Sequence, residues 1–306
     1  MKNKHGLLVL WSAIVSLAFS SRFSRAGELG ALRSAIEAEI ARSGAEVSLA
    51  FKDLQTGETL FIREKDMVHA ASTMKVPVLI EVFKQAEEGK FRLDEPIAVK
   101  NEFRSIVDGS SFSLNKEDDS DPEIYGLIGQ SLTVRELAAR MITVSSNMAT
   151  NILIERVGPG SIMSTLELLG IRRMRVLRGV EDGKAFERGW NNQTDAFDLM
   201  KVMESIASGR AGSLPSCREM VFILEKQKFR GGIPAGLPAG VRVANKTGSL
   251  SGMEHDAAIV FPPGRKPYVL VVLTRGVQSS AEGERLISRL SKLLYDRVSA
   301  GPVGPH

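Results

Sequence analysis

The sequence predicts a two-part protein of the α/β plus all-α class, in which strands from both ends of the chain share one sheet and an all-helical region is inserted between them. Three patterns predict it. Alternating apolar residues appear early, at Val47, Leu49 and Phe51, and β-branched runs return only late, at Val241 to Ala244, Ala257 to Phe261 and Tyr268 to Thr274. Between them, from about Leu132 to Ile206, apolar residues recur at helical spacing in stretches broken by glycine-rich joints. The length of 306 residues, with 43% hydrophobic and 25% charged content, is that of an ordinary globular protein able to bury a sizeable core.

Taken in order, residues 1–26 read as an export signal. Lys2 and Lys4 precede an apolar run from Leu7 to Phe19, and the small residues Ser24 and Ala26 mark cleavage after Ala26, with Ser20 as the alternative. The run is shorter than the roughly 20 apolar residues that span a membrane, so a soluble periplasmic or secreted protein without a stable membrane anchor is expected. Leu29, Leu32, Ile36 and Ile40 then form a helical stripe, and the strand at Val47 to Phe51 turns at Gln55-Thr56-Gly57-Glu58. A second helix spans Met74 to about Glu88, with Pro77 in its first turns, where a missing N–H costs least. Asn101 to Asp121 is polar and reads as loop. Helical stretches follow at Val134 to Met141, Asn147 to Val157 and Thr194 to Ile206. The late strands turn at Pro262-Pro263-Gly264, and a last helix carries Leu286, Leu290, Leu294 and Val298 on one stripe. The α/β part is assigned to residues 27–95 and 226–300, the helical part to 96–225 and a tail to 301–306, with the site at the seam.

Charge and cysteine content exclude several classes. Lys2, Lys4, Arg22 and Arg25 account for the whole formal charge of +4, so the mature chain is neutral and offers no case for nucleic-acid binding. Cys217 is the only cysteine, so no internal disulfide can form and packing must hold the fold.

The chemistry concentrates in three short motifs. Ser72-Thr73-Met74-Lys75 puts a hydroxyl at the start of a helix and an amine on the same face three residues on. A lysine whose pKa is lowered there can take the serine proton. The spacing alone is weak evidence, since Ser113-Leu114-Asn115-Lys116 repeats it in a polar stretch without apolar periodicity. Order adds the specificity: Ser145-Ser146-Asn147 follows at the start of a helix, and Lys246-Thr247-Gly248-Ser249 lies among the late strands.

With these motifs, with Met141 to Asn151 and with Ile233-Pro234-Ala235-Gly236-Leu237-Pro238, the chain resembles the class A serine β-lactamases over about residues 27 to 299. The resemblance implies an antiparallel sheet flanked by helices with a helical part beside it. It implies Ser72 as acylated nucleophile, Lys75 as its proton acceptor and Ser145 as the relay to the leaving nitrogen. Asn147 would hold the substrate's side-chain carbonyl, Lys246 and Thr247 its carboxylate, and the N–H groups of Ser72 and Ser249 the oxyanion. The substrate would be a β-lactam, or a cell-wall peptide if the same site serves a D-alanyl peptidase or esterase; a monomer needing no cofactor or metal is expected.

Two departures stand out. Ser146 occupies the place of the aspartate in the family's S-D-N motif. The family's R-x-E-x-x-x-N loop has as its nearest text Arg178-Gly179-Val180-Glu181-Asp182-Gly183-Lys184-Ala185, so the candidate deacylating base, Glu181, stands one residue late and Ala185 takes the asparagine's place. Asn191 or Asn192 is the substitute for that asparagine further along.

The remaining titratable residues carry less. His5, His69, His255 and His306 show neither metal spacing nor a triad, His69 reads as structural, and His255 is placed at the border of the pocket. The acidic run from Glu117 to Glu123 lacks the ligand alternation of a calcium loop. No phosphate-cradling glycine loop occurs.

Overall fold

The structure is a computed structural model and describes residues 27–300; residues 1–26, where an export signal is expected, and the tail at 301–306 lie outside the described residues. Helix α1 (residues 27–43) leads into β1 (Glu46–Asp53) and β2 (Thr59–Ile62). Asp53 builds the turn between them, accepting from the Gln55 N–H at 2.8 Å and the Thr56 hydroxyl at 3.0 Å. Strand β3 (Val68–His69) and a 3-10 turn over Ala71–Met74 run into α2 (Lys75–Glu87).

The polar stretch expected as loop contains one short ribbon, β5 (Phe103–Arg104) paired to β6 (Ser111–Phe112), and is flanked by β4 (Pro96–Ala98) and β7 (Ser131–Thr133), which pair with each other. Asn101 does what periodicity does not announce. Its amide donates to the Leu114 carbonyl at 2.9 Å and accepts from the Leu114 N–H at 2.8 Å, closing the loop by side-chain mimicry of a strand. The second serine–lysine pair ends there exposed at both Ser113 and Lys116.

The helical part comprises α3 (Val134–Thr143), α4 (Asn147–Val157), α5 (Pro159–Leu168), α6 (Gly183–Glu187), α7 (Ala196–Ala207) and α8 (Leu214–Glu225), with strand β8 (Gln193–Thr194) pairing back to β3. Thr133 and Glu136 form a reciprocal capping box at α3. The chain closes with β9 (Arg242–Leu250), β10 (Met253–Phe261), β11 (Tyr268–Arg275) and α9 (Ser280–Ser299).

The main sheet is antiparallel in the order β2-β1-β11-β10-β9, so the first strand pairs with the last. Side-chain alternation gives it two buried faces. Leu270 and Val272 point with Leu49 and Phe51 into a core closed by Ile36 of α1 and Leu286, Leu290 and Leu294 of α9. Val269, Val271 and Leu273 point the other way, into one continuous core with α2, α3, α4, α7 and α8. That continuity leaves β9 against α8 and against the 3-10 turn that precedes α2.

Candidate active site

Ser72 sits in the 3-10 turn that feeds α2. The residue before it, Ala71, is left-handed at φ 44°, and its N–H donates to His69 Nδ1 at 3.0 Å, so His69 braces the strained turn. Lys75 opens α2 and is 0% exposed. Its Nζ donates to the Ser145 carbonyl at 2.6 Å, to Ser145 Oγ at 3.1 Å and to Asn147 Oδ1 at 2.9 Å. Burial lowers its pKa to about 7, against the opposing pull of Asp119 and Glu181.

Ser145 and Asn147 lie where α3 ends and α4 begins, with Ser145 at φ 60°. Across the seam, Lys246 of β9, also 0% exposed, donates to Ser145 Oγ at 3.0 Å and to the Thr247 carbonyl at 2.9 Å. One hydroxyl thus stands between two buried amines. Burial, and then the neighbouring Lys75 charge, hold the Lys246 pKa well below its ordinary value. Gly248 lets β9 come this close, since a Cβ there would lie 3.1 Å from the Ser72 nitrogen and 3.1 Å from the Ala71 Cβ. The strand therefore brings Ser249 beside the Ser72 turn.

The loop from Arg178 to Asn192 carries Glu181. Asn151 of α4 clamps the backbone of Val180, accepting from its N–H at 2.6 Å and donating to its carbonyl at 2.9 Å. Val180 is the third residue of the motif counted from Arg178, where the family pattern has glutamate. Glu181 follows at φ 63°, and that left-handed step turns its carboxylate back to the site. One oxygen accepts from Asn147 Nδ2 at 3.2 Å, the other from the Asn115 N–H at 3.3 Å. Burial raises its pKa. Ala71, Ser145 and Glu181 are three of the four described non-glycine residues with positive φ, so the strain is gathered at this site.

Neither Asn191 nor Asn192 stands in for the missing asparagine. Asn192 accepts from the N–H groups of Leu177 and Arg178 at 2.8 and 3.2 Å and donates to the Arg178 carbonyl at 3.0 Å; Asn191 accepts from the Arg178 guanidinium at 2.8 Å. Both close the neck of the loop. Ala185 is buried in α6. Asp182 fastens the loop to the ribbon beside it, accepting from Ser105 Oγ at 2.8 Å and the Ile106 N–H at 2.9 Å.

Asp119 is a site residue that sequence reasoning missed. Its buried carboxylate accepts from the N–H of Asn147 at 3.0 and 3.1 Å and from that of Met148 at 3.0 Å, at the N-terminus of α4. Ser146 adds a conventional cap, its hydroxyl accepting from the Ala149 N–H at 3.3 Å. The carboxylate absent from the Ser145-Ser146-Asn147 motif is thus supplied at the same helix end by a distant segment. Asp119→Asn is expected to cost about 1 kcal/mol of stability, read as a lower denaturation midpoint. It should also move the acid limb of the acylation profile to lower pH, because the charge that helps Lys75 keep its proton is gone. The nearby Asp121 pairs with Arg140 at 2.9 Å.

The catalytic-motif residues open on a cavity of about 250 Å³ lined by Ser72, Ser145, Thr247, Ser249, Glu254 and Glu284, with Phe229 at its edge. His255 does not border it, contrary to expectation. Its ring is buried, Nδ1 accepting from the Thr274 N–H at 3.1 Å and Nε2 lying 3.0 Å from the His69 carbonyl, with its pKa lowered to about 4 by burial. None of the aromatic residues Phe103, Phe112 and Tyr125 of the 101–130 stretch lines this cavity: Phe103 packs on Phe112, and the Tyr125 hydroxyl donates to Asp119 at 3.4 Å.

A two-faced antiparallel sheet beside a helical part, with serine, lysine and hydroxyl groups gathered at their seam, defines the class of serine enzymes to which the motifs pointed. The chain belongs to the β-lactamase enzyme family, whose model matches residues 31–298, and is an enzyme of its class A serine branch. β-Lactamase Toho-2 of Escherichia coli is 28% identical over 272 residues, spanning 84% of this chain and 86% of that protein. The crystal structure of a β-lactamase from Sphaerobacter thermophilus superposes with a TM-score of 0.74 at 25% identity, covering 89% of this chain and 98% of that one. A mutant of PBP-A, solved as its acyl-enzyme complex with penicillin G, superposes with a TM-score of 0.74 at 26% identity over 88% of this chain and 97% of that one.

Proposed function

We propose that this protein hydrolyses β-lactams through a covalent acyl-enzyme on Ser72, as an exported monomer without cofactor. The observation that carries the reading is the fully buried Lys75 amine, one helical turn from Ser72, hydrogen-bonded to Ser145 and with its pKa lowered to about 7. At neutral pH such an amine is available as a base. Lys75 takes the Ser72 proton as Oγ bonds to the lactam carbonyl carbon. The oxyanion accepts from the N–H groups of Ser72 and Ser249, where donors act on charge that develops in the transition state. As the carbon–nitrogen bond breaks, Ser145 gives its proton to the nitrogen and is reprotonated from Lys75 or Lys246. Asn147 holds the substrate's side-chain carbonyl, and Lys246 and Thr247 steer the ring carboxylate. Glu181 then takes a proton from water as its oxygen bonds to the ester carbonyl carbon, and when the carbon–Oγ bond breaks that proton returns to Ser72 Oγ, leaving Glu181 ionised and Ser72 free. Export rests on the charged and apolar pattern of residues 1–26.

A second reading keeps acylation and replaces rapid turnover by a D-alanyl peptidase or esterase role. The observation favouring it is Val180 at the motif's glutamate place, with Ala185 where an asparagine would hold the water. A time course of the mature protein with a chromogenic cephalosporin, with intact mass recorded at each point, separates the readings. Steady turnover supports hydrolysis, and a stoichiometric adduct that persists supports the second. Absence of both adduct and turnover would sink both readings.

A further inference from the structure

The wall of the reactive cavity toward the β9–β10 hairpin and α9 is acidic. Glu254 is 4% exposed and stands opposite Ser249 in the hairpin register, accepting from Ser249 Oγ at 2.8 Å. Glu284, half-buried in the first turns of α9, reaches the same cavity and forms no ion pair among the described residues. Gly231 gives it room, because a Cβ there would lie 2.3 Å from the Glu284 carboxyl carbon. None of the nine residues lining the cavity is basic. Lys246 is fully buried behind Ser145 and does not line this wall.

The position of this wall follows from the proposed chemistry, on which the inference rests. Ser145 faces the nitrogen that leaves and Thr247 the ring carboxylate, so a leaving-side substituent beyond them points toward Ser249 and the two glutamates. We propose that Glu254 and Glu284 form an anionic subsite on the leaving side of the cleft, selecting acyl substrates that carry an ammonium group there. Burial, opposed by the Ser249 and Ser280 hydroxyls, pushes the Glu254 pKa up to about 7, and the charges of Glu284 and Asp256 add to the rise. A cation placed between the two carboxylates relieves that repulsion, whereas an anion adds to it.

The test uses two cephalosporins that share the same side chain and ring carboxylate and differ only in the leaving-side substituent, one uncharged and one a quaternary ammonium. Each acylation kcat/KM is divided by the compound's own rate of hydroxide hydrolysis, which removes the difference in intrinsic reactivity. The cationic compound is expected to be favoured about tenfold, the effect of one unit charge a few ångströms from a partly buried carboxylate. Glu284→Gln and Glu254→Gln should each lower that ratio toward one. Using both keeps the test decisive if the more buried site tolerates substitution poorly. A ratio of one or less in the unaltered enzyme, with Ser72 adducts forming on both compounds, overturns the subsite and leaves acyl transfer standing. Failure to form an adduct with either compound overturns both.

Discussion

Replacing Ser72 by alanine is expected to abolish covalent labelling by penicillin, while Lys75→Ala leaves the nucleophile in place and slows labelling by about a hundredfold to ten-thousandfold, the range for loss of a positioned general base. The two variants separate the atom that attacks from the atom that takes its proton. Intact mass after short exposure reads the first, and the single-turnover rate reads the second. The pH dependence follows from the burial of Lys75. Its pKa lies at about 7, so kcat/KM should climb as pH rises through about 7 and the amine loses its proton. In Lys75→Ala that limb should disappear. Labelling that survived in Ser72→Ala would move the nucleophile elsewhere, and an unchanged limb in Lys75→Ala would assign the titration to another group.

Glu181→Gln should leave acylation nearly intact and slow release of the adduct by about a hundredfold to ten-thousandfold. The reasoning is geometric. The carboxylate is held at Asn147 Nδ2 and the Asn115 N–H, on the side of the site away from β9, where it can address water without touching Ser72. Glutamine keeps the shape and an acceptor but cannot take a proton. The adduct of the variant should therefore accumulate to full occupancy during turnover. If adduct lifetime were equal in variant and parent, Glu181 would be a loop carboxylate only, and the slow-release reading would gain.

The loop around Glu181 shows how residue count and geometry part. Counting from Arg178 puts Glu181 one place too late, yet a left-handed backbone at Glu181, with Asn151 clamping Val180, returns the carboxylate to Asn147. No pattern in the sequence announces a positive φ at a glutamate, since local sterics disfavour it and only the surrounding contacts enforce it. The polar stretch from Asn101 to Asp121 was equally opaque. Its order comes from single side-chain contacts, such as Asn101 to Leu114 and Asp182 to Ser105, which leave no period to read.

By itself the sequence determined the two-part architecture, the pairing of early with late strands, and the candidate nucleophile and base at Ser72 and Lys75. The architecture rests on periodicity within each element, where a residue's neighbours are set by helix or strand geometry alone, and the nucleophile and base rest on the order of three motifs and the family resemblance they carry. Only the tertiary structure decided that Asp119 caps α4, that His255 is buried support, and that Glu254 and Glu284 line the cleft. Those roles depend on segments far apart in the chain meeting across the seam, and on how much water each carboxylate or amine loses there. That loss is a property of the packed fold and sets the pKa values on which the chemistry rests.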